Sequence, residues 1–232
     1  MRGLPNILFL GKDDSKILAH LKDLGHRVKV VNCPLIAKST PLRGCTWLVS
    51  HGYRYIVPGE VLAMFPRRAI NCHISLLPWN RGSDPNLWSW IDDTPKGVTI
   101  HRMTEGLDKG SILVGWEVFF DEISSRDTLR TTYNYLQEVL AMWFRNAWRG
   151  ICTGVWSEGL PIGKGSYHSS ADKDRLGRLL QQGWDTPVTA LMGLTLKTSR
   201  IVQARSSSRI RESIGASPNN PVGTVLQRVG GS

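Results

Sequence analysis

Asn71 and His73 stand at alternate positions in the run Asn71-Cys72-His73-Ile74-Ser75-Leu76-Leu77-Pro78-Trp79-Asn80-Arg81-Gly82. In a strand, residues two apart project from the same face, so a carboxamide and an imidazole would address one bound carbonyl while Cys72 faces the other way. A carboxylate, Asp108, follows in Leu107-Asp108-Lys109-Gly110, after the segment Gly97-Val98-Thr99-Ile100-His101. Such a set offers N–H donors for a developing oxyanion and a base for a proton. Each group alone has an ordinary alternative: a strand-end His is commonly a hydrogen-bonded structural residue, and Asp-Lys-Gly is a turn. Their order and spacing favour a single site. His101, on the apolar Val98-Ile100 strand, reads as structural.

The elements that would position these groups are readable. Ala69 to His73 forms a short, mostly apolar strand pattern, and Leu77-Pro78 and Arg81-Gly82 turn the chain away at its end, the edge where open α/β sheets bind ligands. Asn6 to Leu10 reads as a first strand and Gly11 as its turn. Asp13-Asp14-Ser15 starts a helix carrying Ile17, Leu18 and Leu21, which ends at Gly25-His26; Arg27 to Val31 is a second strand. This is a βαβ opening of the Rossmann type. Trp47 to Ser50 reads as a buried strand, and Asp84-Pro85-Asn86 as the cap and first turn of a helix. From about Arg126 to Arg149, Leu129, Tyr133, Leu136, Leu140, Trp143, Phe144 and Ala147 recur at helical spacing, predicting a long helix across the sheet. The expected class is α/β: a mostly parallel twisted sheet flanked by helices.

Beyond Gly150 there is no regular set of strand patterns. Gly159 to Ser170 reads as a surface turn, with Tyr167 and His168 as alternative acceptor contacts. The expected division is a catalytic domain over 1–180 and a basic, weakly ordered, irregular C-terminal extension over 181–232, with weak order from about Lys197.

Hydrophobic residues make up 41% of the 232, enough for a sizeable core. Nine Trp are present, and Trp79, Trp88 and Trp90 crowd the region after His73, as core or as a wall of the cleft. The formal net charge is +10, and residues 197–232 hold six Lys plus Arg against one Glu, so +5 lies there and +5 in residues 1–196. A positive rim would attract phosphorylated or carboxylated ligands. The tail lacks the interleaved aromatics of a single-strand-binding platform, which disfavours a nucleic-acid partner. The four cysteines, at 33, 45, 72 and 152, show neither metal-ligand spacing nor a disulfide framework, so no metal is expected. The apolar start is brief and interrupted by Lys12, Asp13 and Asp14, and no stretch is long enough to cross a bilayer; a cytoplasmic protein is expected, with no membrane partner. A homodimer is compatible with the sequence.

The stretch from about Asn71 to Asp108 resembles the signature of the folate-dependent formyltransferases: a strand-end Asn and His, a Ser-Leu-Leu-Pro turn, an Arg-Gly loop, a Gly-Val-Thr-Ile-His strand and an Asp-x-Gly turn, in order. The family includes phosphoribosylglycinamide, methionyl-tRNA and nucleotide-sugar N-formyltransferases, and the looser resemblance runs from the N-terminus to about Arg149. It implies a Rossmann-like formyltransferase fold, with Asn71, His73 and Asp108 as catalytic residues and N10-formyltetrahydrofolate as formyl donor to a primary amine. A protonated His73 and the Asn71 amide would stabilise the oxyanion of a tetrahedral intermediate, and Asp108 would hold His73 charged and accept the amine's proton. By similarity Tyr55, Ile56 and Val57 would bind folate, with Leu107 closing the pocket; core packing is the alternative, evenly balanced for Ile56. Trp79, Arg81 and Asp84 are candidate acceptor contacts, Arg81 toward a phosphate or hydroxyl. A solvated loop charge is the alternative for Arg81, and a helix cap for Asp84.

The first turn has one glycine where the glycinamide ribonucleotide enzymes carry a glycine- and serine-rich phosphate loop, and 232 residues leave little room for the β-barrel of the tRNA enzymes. An amino sugar, free or nucleotide-linked, is therefore the expected acceptor. The alternatives are another amine (methionyl-tRNA or glycinamide ribonucleotide), a formyltetrahydrofolate hydrolase, and a non-enzymatic basic binding protein on the same scaffold.

Overall fold

The computed structural model describes residues 4–36, 42–177 and 179–194. Its centre is a six-stranded mixed sheet formed by β1 (Ile7–Gly11), β2 (Val28–Val31), β3 (Trp47–His51), β4 (Ala69–His73), β6 (Gly97–Arg102) and β7 (Ile112–Glu117), in the order β2-β1-β3-β4-β6-β7. The first four strands are parallel, whereas β6 runs antiparallel to both β4 and β7. The expectation of a mostly parallel sheet holds: three of the five strand pairings are parallel, and β6, antiparallel to both its neighbours, supplies the other two.

Period-two alternation divides the strands between two cores. Ile7, Phe9, Trp47, Val49, Ile70 and Cys72 face α1 (Lys16–Asp23) and α4 (Leu129–Thr153), against Leu18, Leu136, Leu140, Phe144 and Trp148. Leu8, Leu10, Leu48 and Ala69 face the other way, against Val57, and against Val61 and Phe65 in and beside α2 (Gly59–Ala63). The result is a three-layer α/β/α arrangement. Both long amphipathic elements have side-chain caps: the Ser15 hydroxyl accepts from the Leu18 amide, and Thr128 and Thr131 form a reciprocal capping box. The long helix begins at Leu129 rather than at Arg126, because Thr128 takes an extended conformation and caps it, and it runs on to Thr153, where Gly154 in the left-handed region stops it.

A third apolar cluster joins α3 (Pro85–Ile91) to the start of α4 and to Val188 and Leu191, both fully buried. Two features lay outside the sequence reading. Arg81–Gly82 (β5) and Tyr167–His168 (β8) pair in parallel as a small second sheet, and 3-10 turns cover Gly183–Asp185 and Val188–Ala190. A short helix, α5 (Ser170–Asp174), follows β8. The basic segment 197–232 lies outside the described residues.

Candidate active site

Asn71 and His73 leave β4 on the same face, at the carboxyl end of the parallel strands. Asp108 reaches them from the Met103–Ser111 loop that joins β6 to β7. The left-handed backbone at Asp108 (φ 51) is uncommon outside glycine. The Asn71 side-chain amide donates to Asp108 Oδ1 at 3.1 Å, and His73 Nε2 lies 3.8 Å from Asp108 Oδ2. The backbone N–H of Gly82 donates to the same Oδ2 at 2.9 Å. His73 Nε2–H also donates to the Asn80 carbonyl at 3.1 Å. His73 and Asp108 are each 8% exposed, so this ionic contact is little screened by water.

His101 belongs to the same cluster. The antiparallel β4–β6 ladder sets it directly opposite Asn71, and a register shift between Ile100 and His101 marks a bulge where β6 pairs with β7. Its Nδ1–H donates to the Arg102 carbonyl at 2.8 Å, which turns Nε2 toward Asn71 Nδ2 (3.2 Å) and Asp108 Oδ1 (3.4 Å). Burial pushes the Asp108 carboxyl upward, but the charge of His73, the hydrogen bond and charge of His101 and the Gly82 N–H outweigh it and hold the group well below the usual carboxylate range. At neutral pH Asp108 is a carboxylate.

The loop after β4 supplies the remaining partners. Arg81 Nε donates to the Ser166 carbonyl (3.3 Å), and Asp84 pairs with Lys173 (3.1 Å). Asp84 precedes α3 with a left-handed backbone and makes no side-chain cap. Trp79 is half-buried, and its carbonyl accepts from the Ser75 hydroxyl. Of the residues expected to bind folate, Tyr55 and Ile56 are exposed on the loop after β3, Val57 is buried in the α2-side core, and Leu107 is half-exposed beside Asp108. The Glu105 carboxylate lies against Gly59 at the start of α2, where an added Cβ would meet it.

A cavity of about 310 Å³ lies on the α2 side of the sheet, lined by Leu62, Phe65, Ala69, Met103 and Thr104, with Arg67, Arg102, Ser111 and Glu158 at its polar end. None of Tyr55, Ile56, Val57 and Leu107 lines it. A hydrogen bond from Ser111 (2.7 Å), together with the guanidinium groups of Arg102 and Arg67, holds the Glu158 carboxyl below its ordinary range. Arg102 Nη1 is buried without a partner among the described residues. Among the described residues there is no cluster of His, Cys, Asp and Glu able to hold a metal ion, and no helix long and apolar enough to cross a membrane.

A six-stranded mixed α/β sheet carrying Asn71 and His73 at the carboxyl end of β4, with Asp108 brought to them from the β6–β7 loop, defines the class of fold and site to which the comparisons belong. Residues 37–147 match the formyl transferase family model. The chain is 42% identical, with a TM-score of 0.76, to the formyltransferase PseJ from Anoxybacillus kamchatkensis, covering 82% of this chain and 98% of PseJ. That enzyme was crystallised in complex with UDP-4,6-dideoxy-4-formamido-L-AltNAc and tetrahydrofolate. This chain belongs to the formyl transferase family. Its fold is shared by a 4-N formyltransferase from Francisella tularensis (24% identity, 74% of this chain and 79% of the other, TM-score 0.62). It is shared too by a sugar N-formyltransferase from a Shewanella species (23% identity, 75% and 80%, TM-score 0.64).

Proposed function

We propose that this protein transfers the formyl group of N10-formyltetrahydrofolate to a primary amine of a nucleotide-linked amino sugar, with Asn71, His73 and Asp108 carrying the chemistry. The observation that supports this reading most is the buried contact network among those three groups, in a chain 42% identical to a formyltransferase crystallised with a nucleotide-linked formamido sugar and tetrahydrofolate.

The donor is a substrate that supplies an activated formyl carbon. In the transfer the acceptor nitrogen bonds to that carbon, the bond from the carbon to N10 breaks, one proton leaves the nitrogen and one is returned to N10. Charge develops on the formyl oxygen, where the Asn71 amide and a protonated His73 act as fixed donors. Asp108 stabilises the imidazolium of His73 and accepts the amine's proton, directly or through one water. Tyr55, Ile56, Val57 and Leu107 are proposed to flank the donor, which enters between the loop after β3 and the 104–108 segment. Trp79, Arg81 and Asp84 are proposed to meet the acceptor.

The test is release of tetrahydrofolate from N10-formyltetrahydrofolate in the presence of uridine- and thymidine-diphosphate amino sugars, glycinamide ribonucleotide or methionyl-tRNA. Turnover is expected with a nucleotide-linked amino sugar, and His73→Ala should lower kcat by roughly 10²–10⁴-fold. Turnover confined to another amine, or unchanged in His73→Ala, would overturn the reading.

A further inference from the structure

The short parallel strand β8 does more than close the surface. Ser166, immediately before it, is bonded to the loop after β4 at almost every polar atom. Its Oγ accepts from the Asn80 N–H (2.8 Å) and donates to Asn80 Oδ1 (3.1 Å), its carbonyl accepts from the Arg81 N–H (3.1 Å) and Arg81 Nε (3.3 Å), and its N–H donates to the Pro78 carbonyl (3.2 Å). Asn80 is completely buried, and its side-chain amide is held on a third side by Thr94 Oγ1 (2.7 Å). Two residues further on along both segments, the Ser83 N–H donates to the His168 carbonyl (2.9 Å).

Both proton-handling groups of the site hang on this loop. The Asn80 carbonyl accepts from His73 Nε2 and the Gly82 N–H donates to Asp108 Oδ2, so one three-residue span sets the ring orientation of the histidine and one lone-pair direction of the carboxylate. The loop takes left-handed backbone at Asn80 (φ 53), Gly82 (φ 93) and Asp84 (φ 49), a conformation that non-glycine residues hold only when their surroundings over-determine it. The strap from Gly165 to His168 is that surrounding. Gly165 lies so close to the Pro78 carbonyl, and Gly82 to the His168 carbonyl, that a Cβ at either glycine would collide. The strap is itself anchored to α3 at its far end, where His168 Nε2 meets Asp92 Oδ2 at 2.7 Å and its ring stacks on Trp88 at 3.9 Å between centroids.

We infer that Ser166 is a positioning residue of the transfer: through Asn80 it fixes the loop that orients His73 and Asp108, so this C-terminal strap is part of the catalytic apparatus. The inference rests on the proposal that His73 and Asp108 carry the chemistry.

The experiment compares Ser166→Ala, Ser166→Thr, His73→Gln and the exposed control Arg175→Ala in the full chain, by steady-state kinetics and by histidine ¹⁵N spectroscopy of the free protein. Ser166→Ala should lower kcat by about 10- to 100-fold, the usual effect of loosening a group that orients a reacting residue, with KM for both substrates within about twofold. The ¹⁵N signature of the hydrogen bond from His73 Nε2–H to the Asn80 carbonyl should weaken in Ser166→Ala. Ser166→Thr, which keeps the hydroxyl, should restore most of both signals, and Arg175→Ala should change neither. An unaltered His73 spectrum and kcat in folded Ser166→Ala would overturn the inference. If His73→Gln is fully active, the assignment of the chemistry to His73 fails instead. The hydrogen-bond readout is independent of turnover and separates the two failures.

Discussion

Asp108 is the most constrained residue of the site, with Asn71 and His101 on one oxygen and Gly82 and His73 on the other. Those partners favour the ionised form strongly enough to outweigh burial, and that has a consequence for stability against pH. A carboxyl whose value in the folded chain lies below its unfolded value, near 3.8, stabilises the fold above about pH 4 and loses that contribution as the pH falls through the folded value. Between pH 6 and pH 3 the wild type should therefore lose more in melting temperature than Asp108→Asn, whose side chain does not titrate. Parallel losses in the two proteins would show that Asp108 is not held as an ion. The same substitution should lower kcat by roughly 10²–10⁴-fold at pH 7, because a carboxamide neither accepts the amine's proton nor supports a charged His73.

At the scale of elements, His51 ends β3 and ties two helices to it. The Ser15 hydroxyl, which caps α1, donates to His51 Nδ1 (2.8 Å), and Nε2–H donates to Gln137 Oε1 on α4 (2.7 Å). Burial is the main reason that its pKa is lowered, against the raising effects of Gln137 and Asp14. For a histidine lowered on folding, the contribution to stability is complete above the unfolded value of 6.5 and is lost as the pH falls below it. His51→Leu should destabilise the fold by about 1–3 kcal/mol at pH 8 by leaving the Ser15 and Gln137 groups unpaired. The gap to wild type in denaturant melts should narrow toward pH 5, and a gap independent of pH would refute a neutral clip.

The elements also show where local pattern is sufficient and where it is not. Period-two spacing alone places Asn71 and His73 together, and the apolar stripe from Leu129 to Ala147 alone predicts α4. His101 eluded such reasoning because its partner stands across the antiparallel β4–β6 pair, a non-local pairing that periodicity does not encode. Tyr167–His168 is too short to leave a period, and its pairing with Arg81–Gly82 depends on a fold-back of more than eighty residues. Nor does a loop motif disclose that the Ser166 carbonyl takes Arg81 Nε.

At the scale of the whole molecule, the question is which residues unfold together. The sequence suggests a boundary near residue 180, because from Gln181 onward it mixes Gly, Pro, Ser and Arg without a regular pattern. In the fold, however, Val188 and Leu191 are fully buried against Leu87, Trp88 and Trp90 of α3 and Leu129 of α4. Backbone bonds reinforce the contact: the Leu129 N–H donates to the Thr186 carbonyl, and the Val188 N–H to that of Asp127. The same α3 carries Trp88, on which His168 stacks, so loss of this cluster would loosen the strap over the active-site loop as well. Leu191→Ala should therefore destabilise by about 2–5 kcal/mol, the range for a buried leucine truncated in a packed core, and should shift one cooperative transition rather than create a second. A chain ended after residue 194 should keep that single transition and its turnover, whereas one ended after residue 180 should melt lower and lose kcat. Equal melting temperatures for these two truncations would show that residues 181–194 are an appendage and that the catalytic unit is complete without them.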